Sequence, residues 1–283
     1  DSDKAATYYE QAHEADPRNV ASLKGLERIH ARGGNHERLL KSLQAQLPLA
    51  PTARQKVELG NRIGALLEEE FVDHARAAEA YEEVTRLDAA NDQGLRGLGR
   101  TLRVLGRWDD LANLLERHAA QVDEPAKKVE LLVAAGRVLI DPIGALDRAQ
   151  RSFERALEVE KGHGGALEAL GRIAALKGDV RAATEAYEQL AQAAKTPGEK
   201  VEVLLKLAKV LEEKGDRDAA IDRYKQALDA DPDSTQATSR LRELYAARGD
   251  ATGAIELLQR EIEAAEGNNQ RAALWAQVAR IYR

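Results

Sequence analysis

The side chains that carry out chemistry are present in this chain, but not in the arrangements that chemistry needs. The 6 histidines (His13, His30, His36, His74, His118 and His163) are scattered over 283 residues. None has a second histidine one helical turn away, and no H-E-x-x-H metal motif occurs; His36-Glu37 continues into Arg38-Leu39. Cysteine is absent, which excludes a thiol nucleophile, a thiolate metal site and a disulfide. Gly94-Leu95-Arg96-Gly97-Leu98-Gly99 superficially offers a phosphate loop, but it lies inside a helical pattern, whereas a nucleotide loop follows a strand and opens a helix. Lys161-Gly162-His163-Gly164-Gly165 falls at a junction between periodic segments and reads as a plain loop. No Ser/His/Asp set is specified by spacing. The expectation is a protein that is not an enzyme, with no catalytic residues, no cofactor and no metal.

What remains is the chemistry of charged side chains, and a repeat positions them. Leu26, Leu98 and Leu170 are spaced by 72 residues, with Leu241 a further 71 on. Gly34, Gly106, Gly178 and Gly249 take the same steps, as do Tyr9, Tyr81, Phe153 and Tyr224, and Asp16, Asp88, Glu160 and Asp231. Each unit of 72 splits into two similar halves, as in Leu204–Pro232, which reads as helix, tight Gly-Asp turn, helix. Leu204, Leu207, Ala208 and Leu211 form one apolar stripe at helical spacing, and Ala220, Tyr224 and Ala227 form another. Gly215 sits at the turn, where a positive φ costs little.

These residues resemble the tetratricopeptide repeat (TPR). Leu167, Gly171, Gly178, Ala183 and Tyr187 match one copy of its pattern; Leu204, Leu207, Ala208, Gly215, Ala220, Tyr224, Ala227 and Pro232 match the next. The resemblance implies an all-α fold: a right-handed α-solenoid of antiparallel helix hairpins. Seven full copies are expected, at 18–51, 52–89, 90–123, 124–161, 162–195, 196–232 and 233–266, with half repeats at 1–17 and 267–283. Alternate copies are longer. The extra residues lie in the hairpin turn, as at Glu70-Phe71-Val72-Asp73, and before the first helix, as at Thr196-Pro197-Gly198-Glu199-Lys200, where Thr caps and Glu follows three later. Asn19, Asn91 and Asp233 are expected to cap other first helices. Gly64, Gly99, Gly136, Gly171 and Ala208 are expected to let the two helices of a hairpin approach closely. Tyr8 and Tyr9 at one end, and Trp275 and Tyr282 at the other, leave unpaired seams where arrays ordinarily carry polar caps, so a longer array is expected.

In such arrays the first helices line a concave groove, again by resemblance. At roughly 100° per residue, four slots of each first helix lie about 130° from its buried stripe. The slot after the glycine reads Arg28, Ala65, Arg100, Arg137, Arg172, Lys209, Glu243 and Arg280, and the slot four residues earlier adds Lys24, Asn61 and Arg96. A chain of net charge −6 thus carries a basic row along one face. One reading is a track for a carboxylate-rich peptide or protein, using Lys24, Arg28, Asn61, Arg96, Arg100, Arg137, Arg172, Lys209 and Arg280. The other is a self-neutralised charged face, with Glu168 four residues before Arg172 and Glu58, Glu130 and Glu202 interspersed. Val133 and Leu205, apolar in the slot of Asn61, are expected to pack inward. With Asn61 the one asparagine on this track, a chaperone-type carboxylate clamp is not matched.

The function expected is a protein–protein interaction scaffold or adaptor. The Ala/Arg/Leu-rich composition suggests a bacterial protein, in a setting such as an envelope, pilus, secretion or motility assembly. Alternatives are an RNA-binding helical-repeat protein and a self-assembling array joined end to end. Nucleic acid is the weaker reading, since the net charge is negative and the basic row lacks interleaved aromatics. No apolar run reaches the roughly 20 residues of a membrane span. A cytoplasmic location is expected, with periplasm or envelope left open because a signal or anchor can lie outside this segment.

Overall fold

Short polar side chains set the helix starts. In the structure, a computed structural model that describes residues 2–282, Asn19, Thr52, Asn91 and Thr196 each accept a backbone N–H three residues on. Asn35, Asp73, Asp179, Asp216 and Asp250 do the same for the second helices of their hairpins. At Thr196 the expected start is complete: Pro197 holds the first helical position, and the Glu199 carboxylate accepts the Lys195 N–H at 2.8 Å. Two expectations shift. Ser234, not Asp233, occupies the cap position, because it follows Asp231 by three residues as Asn19 follows Asp16 and Asn91 follows Asp88; Asp233 stands where Arg18 and Ala90 do, its N–H on Asp231 Oδ1 at 3.1 Å. The loop expected over 161–165 is shorter, since His163 Nδ1 caps a helix that already begins at Gly164.

Among the described residues there are sixteen α-helices and no strand: α1 (Ser2–Ala15), α2 (Val20–Arg32), α3 (His36–Gln46), α4 (Ala53–Glu69), α5 (His74–Leu87), α6 (Asp92–Val104), α7 (Trp108–Gln121), α8 (Pro125–Ile140), α9 (Leu146–Val159), α10 (Gly164–Lys177), α11 (Val180–Ala193), α12 (Pro197–Glu213), α13 (Arg217–Ala230), α14 (Thr235–Arg248), α15 (Ala251–Ala264) and α16 (Asn268–Ile281). The first helices of the long copies, α4, α8 and α12, run 16 or 17 residues, against 13 or 14 for α2, α6, α10 and α14. Most of the added length therefore extends these helices. The chain divides within α9 into two compact units, Asp1–Ser152 and Phe153–Arg283. In the first unit, successive helices from α1 to α8 pack in chain order, and α4 also meets α6. In the second, the same order holds from α10 to α16.

The turn of copy 52–89 shows what its extra residue costs. Gly215 takes φ +86° in the ordinary turn, where the Asp216 N–H reaches Leu211 O. The longer turn closes instead with the Asp73 N–H on Leu67 O, and the left-handed position is filled by Val72 at φ +53°. A β-branched residue is strained there by about 1–2 kcal/mol, and Val72 is exposed, so nothing is lost by removing its side chain. Val72→Gly is expected to raise the melting temperature by about 2–4 °C in a thermal unfolding scan; an unchanged or lower value would show that the turn is not strained.

The rings of the aromatic series are the centres of packing. Tyr81 is 1% exposed and Tyr224 2%. A Cβ added at Gly64 would lie 2.7 Å from Tyr81 Cε1, and at Gly171 2.8 Å from Tyr187 Cζ, so these two glycines do admit the ring of their own hairpin. Gly99 does not: its nearest neighbour would be Leu111 at 3.9 Å, an ordinary contact. The tight glycines in α6 are Gly94, against Val84, and Gly97, which receives the Tyr81 ring. Gly25 does the same for Tyr9. The glycines that matter thus include a set facing the preceding copy, at a slot two residues earlier than the one expected. Val133 is buried and Leu205 is partly buried against the core, as their apolar character implies.

Candidate first-helix binding face

Ion pairs between successive first helices order this face. Glu27 of α2 binds Arg62 of α4 at 2.6 Å, and Glu68 of α4 binds Arg100 of α6 through two bonds of 2.9 Å. In the second unit, Glu168 of α10 binds Lys206 of α12 at 2.5 Å, and Glu212 of α12 binds Arg240 of α14 at 2.6 Å. At each of these junctions the earlier helix supplies the carboxylate and the later one the cation. Glu68 and Glu212 also accept the hydroxyl of their own hairpin's tyrosine, Tyr81 and Tyr224, each at 3.2 Å. The slot of Arg100 holds Glu243 in α14, so Glu212 is reached by Arg240 from one turn earlier, and Arg240 bonds Glu243 as well.

The basic row expected along this face is therefore not uniform. Arg100 is a structural residue, bidentate on Glu68. Arg96 pairs with Asp92 at 2.7 Å and Lys209 with Glu213 at 3.8 Å, each within its own helix. Glu168, placed by spacing beside Arg172, accepts from Lys206, and Arg172 has an interaction of its own. Arg137 and Arg280 are exposed. Asn61 is buried, at 5% exposure, and donates through Nδ2 to Asn91 Oδ1 at 3.0 Å. Only Lys24 and Arg28 are brought together as neighbouring cations with no carboxylate partner among the described residues.

These two line a cleft of about 720 Å³ between α2, the end of α3 and α4. Val20, Leu49, Pro51 and Leu59 supply apolar walls. Its depth is braced by Glu27, whose carboxylate takes Gln46 Nε2 at 2.7 Å as well as Arg62. This brace has a signal in the sequence: Glu27 stands in the slot that holds Gly64, Gly99, Gly136 and Gly171 elsewhere. The same departure at Arg242 places its Nη2 on both carboxylate oxygens of Glu261.

The Glu68 cluster has a pH signature. The Arg100 bonds hold the Glu68 carboxyl below its usual range; burial, followed by the Glu68 charge, pushes the Tyr81 phenol up. A carboxylate whose folded pKa lies below its unfolded value stabilises the fold above that unfolded value and loses the contribution as pH falls through the folded one. Glu68→Gln is expected to lower stability at neutral pH and to flatten the loss seen below about pH 4.5 in acid unfolding curves. Parallel curves for variant and parent would remove Glu68 from the acid response.

Models of the tetratricopeptide repeat match residues 95–129, 144–199 and 205–269, together more than half of the chain. The chain belongs to the tetratricopeptide repeat family. Among solved structures, that of Naa15/Naa10 bound to HypK-THB superposes with a TM-score of 0.65 over 95% of this TPR chain and 41% of that one, at 15% identity, a likeness of fold. The C-terminal part of a TPR repeat-containing protein from Cytophaga hutchinsonii aligns at 16% identity over 84% of this chain and 93% of that one, with a TM-score of 0.49. The MamA structure aligns at 26% identity over 60% and 95%, with a TM-score of 0.43. No curated protein sequence matches the TPR chain. No helix among the described residues is long and apolar enough to cross a membrane.

Proposed function

We propose that this TPR array is a non-enzymatic scaffold that holds an acidic peptide segment of a partner protein on the first-helix face of unit Asp1–Ser152. A tetratricopeptide array is an interaction scaffold in kind. The observation that carries the acidic specificity is the Lys24–Arg28 pair, two cations one helical turn apart with no ion-pair partner among the described residues, on a mixed cleft that Glu58 and the paired Glu27 and Arg62 also line. Two like charges at this spacing destabilise their own helix slightly, and an acidic ligand reverses that sign. Arg28 Nε is held on Lys24 O at 3.3 Å, which leaves the outer guanidinium nitrogens available to a carboxylate. Arg137 adds an exposed cation further along the same slot.

The test is direct. Lys24→Glu with Arg28→Glu is expected to weaken binding of fluorescein-labelled Glu/Asp-rich peptides by at least roughly tenfold, read by anisotropy, with helicity unchanged; this corresponds to about 1.4 kcal/mol. Binding by the parent is expected to weaken as salt rises. Equal affinity of parent and variant would remove this face from the function.

A further inference from the structure

Two helices of the array carry a hairpin joint that is only half made. Ala5, Tyr9 and Ala12 of α1 are each half-buried. Their slots hold Ala77, Tyr81 and Val84 in α5 and Ala220, Tyr224 and Ala227 in α13, all 0–2% exposed. Tyr81 shows the reason, since its ring packs on Gly64 of its own first helix and on Gly97 of the next. Tyr9 has the second of these contacts, at Gly25, and among the described residues no first helix supplies the other. The converse holds for α16. Its Trp275, Ala279 and Tyr282 stand in the slots of Leu204, Ala208 and Leu211 of α12, which are at most 4% exposed. In α4 the first two of these slots are Gly60 and Gly64, which face Val84 and Tyr81 of α5. Yet Trp275 is 53% exposed and Tyr282 76%, and Ala279 is exposed between them. Leu274 and Val278 already bury the other side of α16 in a cluster with Leu258 and Ile262. The helix therefore presents a second apolar stripe, at i, i+4 and i+7, to solvent.

The two open faces match in size and charge. Where α4 has Gly60, α5 has Val84; where α12 has Leu204, α13 has Ala227, so bulk passes from one helix of the joint to the other. Trp275 with Ala12 continues that exchange, and Ala279 with Tyr9 repeats Ala208 with Tyr224. Tyr8, 70% exposed, finds a place in the same joint. Its slot holds Ser152 in α9 and Arg223 in α13, which bond Glu116 and Glu188 of the preceding second helix, so Tyr8 would lie on α15. α16 has Arg271 and Arg280 and no carboxylate, whereas α1 has Asp3, Glu10 and Glu14 against Lys4. Pairing α16 with α16, or α1 with α1, opposes like charges; pairing α16 with α1 opposes unlike ones.

We infer that α16 of one copy takes α1 of a second copy as the missing half of its hairpin, with Ala279 receiving the Tyr9 ring and Trp275 covering Ala12. The contact is heterologous, each copy using one face and leaving the other free, so copies add head to tail. It is separate from the cleft of Lys24 and Arg28 and does not depend on the acidic-peptide reading.

Sedimentation velocity on the full chain tests this. The mean mass of the parent is expected to rise with concentration without stopping at a dimer. Trp275→Glu with Ala279→Glu closes the α16 face, and Ala5→Glu with Ala12→Glu closes the α1 face; each variant alone should be monomeric. Mixed in equal amounts they should pair one to one and go no further, because the mixture holds one intact face of each kind. Tyr8→Ala, which removes an exposed side chain, should weaken association roughly tenfold with stability unchanged. A parent that stays monomeric up to roughly 1 mM, the weak end of specific binding, leaves the two faces to another chain and overturns the proposal. Growth that survives either double substitution overturns it as well. So does a mixture that fails to pair while both variants keep the parental helicity and melting temperature. If a double variant loses helicity, Tyr8→Ala decides, and unchanged association overturns the joint.

Discussion

Tyr81→Ala is expected to cost about 3–5 kcal/mol of stability, the largest loss of any single substitution in unit Asp1–Ser152. The ring is 1% exposed and is held from two sides, by Gly64 of its own hairpin and Gly97 of the next. Around it lie Leu67, Leu98 and Leu102, all buried. Because those neighbours belong to two helices, α4 and α6, fixed by other contacts, the space cannot close, and a cavity term adds to the lost transfer energy. Tyr81→Phe keeps the ring and removes only the hydroxyl bond to Glu68, so it should cost about 1 kcal/mol. The chain makes the same exchange itself: 72 residues on, Phe153 stands where Tyr81 does and Ile140 where Glu68 does, hydroxyl and carboxylate absent together. Urea unfolding followed by circular dichroism measures both variants; a loss below 1 kcal/mol for Tyr81→Ala would mean that the ring is not central to packing.

Two alanine substitutions in α6 are expected to act in opposite directions. Helix propensity alone favours alanine over glycine by about 0.8–1.0 kcal/mol at either position. At Gly99 that gain stands, since an added methyl meets nothing nearer than Leu111 at 3.9 Å. At Gly97 the methyl would lie 2.6 Å from Tyr81 Cε1. The ring cannot retreat, because Gly64 of α4 already meets the same Cε1–Cζ end of it, and overpacking of this kind costs about 1–3 kcal/mol. The second effect exceeds the first, so Gly97→Ala should be destabilising and Gly99→Ala stabilising in the same unfolding assay. A stabilised Gly97→Ala protein would contradict the sandwich of Tyr81 between α4 and α6.

The hairpins were legible because their causes are local. Apolar stripes at helical spacing, Thr and Asn caps and a Gly turn are properties of a few consecutive residues, and each copy repeats them. Where the reading of the glycines failed, a neighbour in space had intervened. Gly99 occupies the small-residue slot of the repeat but faces no ring; Gly97, indistinguishable from it by composition, faces Tyr81 of the preceding copy. Asp233 is a different case, a sound cap by type that stands one residue before the slot Asn19, Asn91 and Ser234 share, so the miss was one of local register.

The candidate site divides in the same way. Periodicity placed Lys24, Arg28, Asn61, Arg96 and Arg100 on one face, because direction around a helix follows from position in the chain. It could not say which of them were free. That depended on carboxylates 28 to 38 residues away, such as Glu68 for Arg100 and Glu168 for Lys206, brought within reach by the stacking of one copy on the next. The sequence by itself determined that this is an all-helical tetratricopeptide array with a charged first-helix face. Only the tertiary structure decided that Arg100 is bound to the fold, that Lys24 and Arg28 are not, and that Asn61 is buried and bonded to Asn91. The reason is physical: helix formation is settled between residues a turn apart, whereas the pairing of a charge is settled across helices.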